Sequence, residues 1–568
     1  MQVTAYSLLL RRERQQIHGT VGAVLERLSP EPDRELAAQM GEHFQQAGDA
    51  RRAVRYFAQS AEASSRVHAL VEAEALFARA STLLESAAGD SSTDIDSGAA
   101  LVQRVAEGRA HCLRLLGRHP EALSVYRDLE AWGTAAGSQS AILAAWLEQA
   151  TLHSTPTSVH DPAKAEELNL QALRLAESSG DGGAESRALW NLMLLRTYSG
   201  RPQEAVEAGE RALGLAQPLG LEELTAFLSN DIHRAYLALG QIAQARASLR
   251  QAEPFWRRSE NLPMLADNLA SAAQLEFLCG RLQAAEDLAR EAHGASLRIE
   301  NLWGQAHSLF AWGQVELERG DLGAAILRLG ESRAASLESG AAIGYVLTPV
   351  PLAHARRWAG QPMQAMELLD QAVQAAEDQV RFLAPGPRAA RARLRLELDP
   401  PERSRSDDWE SVDSPAGQAF ARMYLPVSYE VPLAQLEWLL AEGRPTEALD
   451  FGLRQISEMR RMGIRMYQVD FASRTSLAAA YLGQDANPGE LLAEAHALAQ
   501  DLGSLRSLWD VYVIAHRIAR LGGGRFPSGS PAEAQALVTR IAETLDSEDD
   551  QTAFLRQPDT RAVLDFAA

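Results

Sequence analysis

The sequence predicts an all-α fold, a right-handed superhelical solenoid of about eleven helical hairpins. Three observations carry that expectation. Glycines recur 40 residues apart, at Gly200, Gly240, Gly280, Gly320 and Gly360. Between them apolar residues fall at three- and four-residue spacing, as in Leu189, Leu192, Met193 and Leu195, or Leu265, Leu269 and Leu275. No stretch of comparable length alternates with period two, so strands are not expected.

The elements follow from this punctuation. The glycine series resumes at Gly443, Gly483 and Gly523, and Gly48 and Gly117 head similar segments upstream. A second set, Gly180, Gly220, Gly340, Gly463 and Gly503, stands about midway between the first, with Asn261 and Asn301 in the corresponding places. Glycine and asparagine tolerate the left-handed conformation that ends helices, so each unit reads as helix, turn, helix, turn. Five residues after the turn glycine stand Ala53, Ala122, Ala205, Ala245, Ala285, Ala325, Ala365 and Ala448. A small side chain there lets the second helix approach the first, where a larger one would overpack. Ala212, Ala252, Ala292 and Ala372 repeat the device further along the second helix, and Phe57 and Tyr126 supply bulk between small positions.

Breaks in the array define its parts. Residues 1–85 read as an N-terminal helical segment, and 86–99, small, polar and acidic, as a loop. A first solenoid block covers 100–384, with an elongated turn at Thr155-Pro-Thr-Ser-Val-His-Asp-Pro. Residues 385–417, opened by Pro385-Gly-Pro and carrying Pro400-Pro-Glu-Arg-Ser-Arg-Ser-Asp-Asp, are expected to be irregular, as a loop or as a hinge. A second block spans 418–545, and 546–568 form a C-terminal cap segment.

Composition bounds the chemistry. A length of 568 residues would ordinarily suggest several domains, and the 40-residue period replaces that with one quasi-continuous arm. The net charge of −20 disfavours a large surface for nucleic acid or anionic lipid. Two cysteines, Cys112 and Cys279, cannot build a disulfide framework and fall in apolar helical stretches, so buried thiols are expected. Lys164 is the sole lysine and lacks the glycines of a phosphate loop, which excludes Walker-type, kinase and pyridoxal-phosphate chemistry for this chain. His153 and His160 flank a turn beside Asp161, but metal-ligand spacings are missing. Catalytic residues, cofactor and metal are therefore not expected. Neither a signal peptide nor an 18-residue apolar span is present, which points to a cytoplasmic protein.

The pattern glycine, alanine at +5, a large residue at +9 and alanine at +12 resembles the tetratricopeptide repeat, stretched from about 34 residues. Units of this length are similar to the repeat arm of the maltose-regulon activator family and other signal-transduction ATPases. Ala5-Tyr6, Leu8-Leu9, Arg11-Arg12, Arg14 and Ile17-His18, continued by Gln45-Gln-Ala-Gly-Asp-Ala and Ala53-Val-Arg-Tyr-Phe, resemble the segment joining such an ATPase to its arm. Phe554-Leu-Arg-Gln-Pro-Asp-Thr-Arg-Ala-Val-Leu564 resembles the closing segment of bacterial cyclase–ATPase–repeat proteins. The resemblance implies a non-catalytic regulatory arm whose ATPase or cyclase module lies in the same or a neighbouring polypeptide. It also implies protein or peptide partners, or a small effector, while the charge and the missing apolar span leave nucleic acid and membrane unexpected. The alternative is a detached C-terminal portion of a cyclase or transcriptional regulator.

In tetratricopeptide arrays the first helix of each hairpin lines the inner face, and stacking puts equivalent positions in ladders. Six residues before successive glycines stand Arg234, Gln274, Gln314 and His354. Ten before stand Trp190, Asn230 and Phe310, and thirteen before stand Arg187, Phe227, Asp267 and His307. Polar and aromatic residues in an otherwise apolar register fit a peptide groove. Ordinary exposed positions on amphipathic helices would give the same pattern. Arg388, Arg391, Arg393 and Arg395 read as a solvated face paired with acids, an anion site being the other reading.

Overall fold

The computed structural model describes residues 10–67, 69–87, 95–154, 157–398, 409–423, 426–483, 486–522 and 531–567. The Ala5-Tyr6 and Leu8-Leu9 pairs, Gly523 and much of the expected irregular stretch lie outside these residues. Among the described residues every regular element is helical, and successive helices pack as antiparallel hairpins. The chain forms two compact units, Met1–Asn191 and Leu192–Ala568.

The hairpin geometry follows the glycines. Helix Leu262–Leu278 ends at a turn in which Gly280 takes φ +76°, and helix Leu282–Arg298 follows. The Gly280 and Arg281 amides donate back to the carbonyls of Phe277 (2.8 Å) and Glu276 (2.9 Å), satisfying carbonyls that the helix end would leave bare. All eight alanines at the +5 position are wholly inaccessible to solvent, as the close-approach argument requires.

The second turn differs from expectation in two repeats. Asn261 and Asn301 are not left-handed; they cap the next helix, their side chains accepting from the amides of Met264 and Gly304 (3.2 Å each). The left-handed residues are the preceding Glu260 (φ +53°) and Glu300 (φ +52°), in the register that Gly220 and Gly340 occupy. An asparagine N-cap satisfies a free helix amide, which offsets part of the strain at the glutamate.

In unit 1 helices run from Arg11–Leu28 through Pro162–Ser179, and residues 182–191 open the helix Gly182–Tyr198. The core near its start is aromatic: Phe44, Tyr56, Phe57 and Phe77 are buried, and Phe44 and Tyr56 stack at 5.7 Å. Gly41 lies under the Phe57 ring, where a Cβ would sit 2.7 Å from it. Of the stretch expected to be a loop, 86–99, residues 86–87 close helix Leu70–Ala87 and 95–99 open helix Ile95–Leu115, while 88–94 lie outside the described residues.

Unit 2 returns upon itself. Four of its turn glycines meet residues far along the chain in nearly constant register: Gly200 meets Ala419, Gly240 meets Met462, Gly280 meets Leu502 and Gly320 meets Ile541. The Arg465 amide donates to the Leu278 carbonyl at 2.9 Å, and the Leu322 amide donates to Thr544 Oγ1 at 3.0 Å. The segment expected to be irregular from residue 385 instead opens with helix Pro385–Leu398. Proline is tolerated in a first turn, whose amides have no partner within the helix, and so its presence does not mark a loop. Gly386 there admits the Phe420 ring, and Phe420, Leu383, Ala389 and Val431 share one buried cluster. Residues 548–556 and 558–567 form two helices, and Phe554 is buried with Trp509 and Val538.

Candidate functional site

Inside unit 2, first helices of early and late hairpins converge on a cavity of about 70 Å³. Gln314, His354, Arg393, Glu430, Asp470 and Arg506 are among its lining residues. His354 Nε2 lies 2.8 Å from Glu430 Oε1, and Arg393 donates to Glu430 (2.7 Å) and to both oxygens of Glu437 (2.9 and 3.0 Å). Arg474 joins Glu437 to Asp510, donating to them at 2.5 and 2.7 Å. Arg506 holds Asp470 (2.9 Å) and Glu318 (3.0 Å), and Ser504 donates to Glu318 at 2.6 Å. Arg506 and Glu318 side chains are each only 6% exposed.

Burial pushes the Glu430 carboxyl up, but the charges and hydrogen bonds of His354 and Arg393 outweigh it and bring the pKa down to about 2. Burial likewise raises Glu437, and Arg393 and Arg474 hold it well below the carboxylate range. These are shifts away from neutrality, opposite to what a general acid or base needs. The network ties together helices almost two hundred residues apart. A buried pair contributes little net stability when both partners are compared with apolar residues, yet removing one partner is costly.

The residues singled out from the repeat register fall into four settings. Asn230 is buried and donates to Asp267 Oδ2 at 2.8 Å, while Asn268 donates to Asn230 Oδ1 at 2.9 Å. Asp267 Oδ1 lies 3.4 Å from His307 Nδ1, so three successive first helices are joined by one polar chain. Burial raises the Asp267 carboxyl, but His307, Arg234 and Asn230 together hold it below its ordinary value. Gln314 and His354 line the 70 Å³ cavity, with the His354 ring stacked on Trp358 at 5.8 Å. Phe227 packs edge-on against Trp256 at 4.9 Å and Phe310 belongs to the buried core. Arg234, Gln274 and Trp190 are half-buried. Arg187 is half-buried too, paired with Glu148 in unit 1.

Arg393 corrects the expectation of a solvated arginine face: its side chain is 12% exposed and belongs to the interior network. Arg388 pairs with Glu377 and Glu410, and Arg391 with Asp370, so the pairing with acids is as expected, but their side chains are only 23% and 16% exposed.

In unit 1 the same register opens on a cavity of about 600 Å³. Glu62, Arg66, Arg104, Glu107, His111, Arg114, Glu148 and Arg187 supply its charge, beside Phe77 and Tyr126. Arg104 grips Glu62 through Nε and Nη2 at 2.5 and 2.6 Å, and Tyr126 donates to Glu148 at 3.3 Å. Gln103 donates to Glu107 at 2.9 Å, and burial raises the Glu107 carboxyl above its ordinary value. Arg104, Glu107 and His111 stand thirteen, ten and six residues before Gly117, the offsets that single out Arg187, Trp190 and Arg234. The signal that would have found them was already in the sequence. Glu430 and Asp470, thirteen before Gly443 and Gly483, could have been found the same way.

Among the described residues no helix is long and apolar enough to cross a membrane. No protein-family model matches the chain, and no curated protein matches it. Solved structures are similar to it at low identity. A Rap protein complexed with competence and sporulation factor is 12% identical, with 61% of this chain and 98% of that one covered and a TM-score of 0.42. A signal transduction ATPase with numerous domains and a tetratricopeptide repeat sensor, from Pyrococcus horikoshii, is 14% identical over 58% of this chain and 53% of that one, with a TM-score of 0.36. The Cut9–Hcn1 hetero-tetramer of the APC/C is 12% identical over 89% and 98%, with a TM-score of 0.42. The class follows from the hairpins themselves: this is an all-α helical-repeat protein with tetratricopeptide-like units.

Proposed function

We propose that the chain is a non-catalytic scaffold that binds segments of protein partners along the inner face of its repeats. One observation carries the reading: the first-helix register that faces inward holds Arg187, Trp190, Asn230, Arg234, Asp267, Gln274 and His307, where hairpin packing alone would place apolar residues. Buried and half-buried polar groups of this kind have a cost unless a partner or a network satisfies them. Partner capture by the intact chain is compared with capture by a variant carrying Arg234→Ala, Gln274→Ala and Gln314→Ala. Loss of partners from the variant supports the inner face, and equal recovery by both removes it.

The chain acts, on this reading, as the regulatory arm of a cytoplasmic signalling ATPase system. The likeness of residues 11–18 and 45–57 to an ATPase-to-arm junction supports this. The closing segment from Phe554 to Leu564 favours the second reading, a detached regulatory portion of a cyclase or transcriptional regulator. An in-frame Walker motif immediately upstream of the coding sequence supports the second reading, and a stop codon with its own promoter supports the first.

A further inference from the structure

We propose that the open inner face of unit 1 is a docking groove for an acidic, extended segment of a protein partner, anchored by Arg66 and Arg114. The inference rests on the scaffold reading and names the chemistry of what one stretch of that face takes.

Charge carries the argument first. Four guanidiniums, Arg66, Arg104, Arg114 and Arg187, line the groove against three carboxylates, Glu62, Glu107 and Glu148. Glu62 is occupied by Arg104 and Glu148 by Arg187. Glu107 takes its hydrogen bond from the neutral Gln103, and its burial favours the protonated form. Among the described residues Arg66 and Arg114 have no carboxylate within ion-pair distance. Arg114 Nη2 lies 3.1 Å from the ring nitrogen of His111, and its Nε is shut away from solvent without an acceptor. An acidic side chain entering the groove would give Arg66 and Arg114 the paired hydrogen bonds to a carboxylate that arginine favours.

Shape selects a chain segment over a small anion. The groove's walls come from helices Ala50–Arg66, Leu70–Ala87, Ile95–Leu115, His119–Ala136, Gln139–Ser154 and the start of Gly182–Tyr198. Packed helices stand about 8–10 Å apart, so the three first helices carrying Arg104, Glu148 and Arg187 present a run of roughly 20 Å. That is the length of about six extended residues at roughly 3.3 Å each. Phe77 and Tyr126 add apolar surface for the segment's backbone and aliphatic carbons.

The net charge of the whole chain makes the test sharp. At −20 the protein repels an acidic ligand at long range and attracts a basic one, so indiscriminate electrostatics favours a lysine peptide. Fluorescein-labelled hexaglutamate and hexalysine are titrated with the full chain by fluorescence anisotropy at low and moderate salt. The expected result is tighter binding of hexaglutamate, weakened by salt. It falls at least tenfold in the Arg66→Ala, Arg114→Ala double variant and is unchanged in Arg12→Ala, which removes one exposed charge elsewhere in the unit. Circular dichroism establishes that the variants keep their helix content. On the unaltered chain, hexaglutamate is expected to slow amide exchange across residues 104–114. Preference for hexalysine, equal binding by the double variant, or no protection at 104–114 overturns the proposal. Any of these leaves the scaffold reading standing if the Arg234, Gln274 and Gln314 variant still loses its partners.

Discussion

Two glycines of one helix answer the same substitution with opposite sign. Gly323 and Gly330 both lie in helix Leu322–Ser339. A Cβ at Gly330 meets nothing within 4 Å, so Gly330→Ala only restrains the unfolded chain and improves helix propensity. The expected gain is about 0.8–1 kcal/mol. A Cβ at Gly323 would overlap the carbonyl oxygen of Thr544, a backbone atom that cannot swing aside as a side-chain end can. Thr544 also accepts the Leu322 amide at 3.0 Å, so pushing it away costs a hydrogen bond as well. Overpacking costs about 1–3 kcal/mol, against a propensity gain that is small in a first turn. Gly323→Ala should therefore lose about 1–3 kcal/mol and separate from Gly330→Ala by roughly 2–4 kcal/mol. Repeat arrays need not unfold in one step, so native-state hydrogen exchange is the suitable assay, read at residues 316–325 and 541–545. Faster exchange at Leu322 in Gly323→Ala alone is the expected result. Equal stabilisation by both substitutions would refute the return of residues 541–545 onto this hairpin.

Other outcomes follow from the same contacts. Glu430 titrates near 2 in the fold against about 4.3 unfolded, so its contribution is complete above the higher value and is lost as pH falls toward the lower. Denaturant midpoints of unit 2 should hold from neutrality to about pH 5 and fall below about pH 4.3, a dependence that Glu430→Gln blunts while lowering neutral stability. Arg506→Ala strands Glu318 and Asp470 in the interior and should cost about 3–5 kcal/mol by urea denaturation, with exchange rising at both 302–318 and 505–520. Ala285→Leu should cost about 1–3 kcal/mol in the same assay through overpacking at a site with no exposed surface, whereas Leu327→Ala at an exposed site should stay within about 0.5 kcal/mol.

The fold was legible because its cause is periodic. A left-handed residue every 40 positions and a methyl group five residues later fix a hairpin without reference to distant sequence. The alanines at 53, 122 and 285 were therefore placed correctly from spacing alone. Proline in a helix's first turn looks the same in sequence as proline in a loop, which is why helix Pro385–Leu398 was missed. Asn261 was off by one because asparagine suits both a left-handed terminus and an N-cap, and only the backbone angle separates them. The return of unit 2 upon itself leaves no local signal. Arg506 and Glu318 are 188 positions apart, and nothing near either names the other. The register singled out Asp267 and His307, which share one polar chain, and Arg187, which lines the unit 1 cavity. The same offsets applied to Gly117 would have added Arg104, Glu107 and His111.

A photoreactive benzoylphenylalanine placed singly at position 187, 190 or 327 of the full chain tests the inner face most directly. Residues 187 and 190 belong to the register proposed to face inward, and Leu327 lies exposed on a second helix. The scaffold account predicts that irradiation in cells joins partner proteins to 187 and 190 and leaves 327 free. Adducts at 327 with none at 187 or 190 would contradict it.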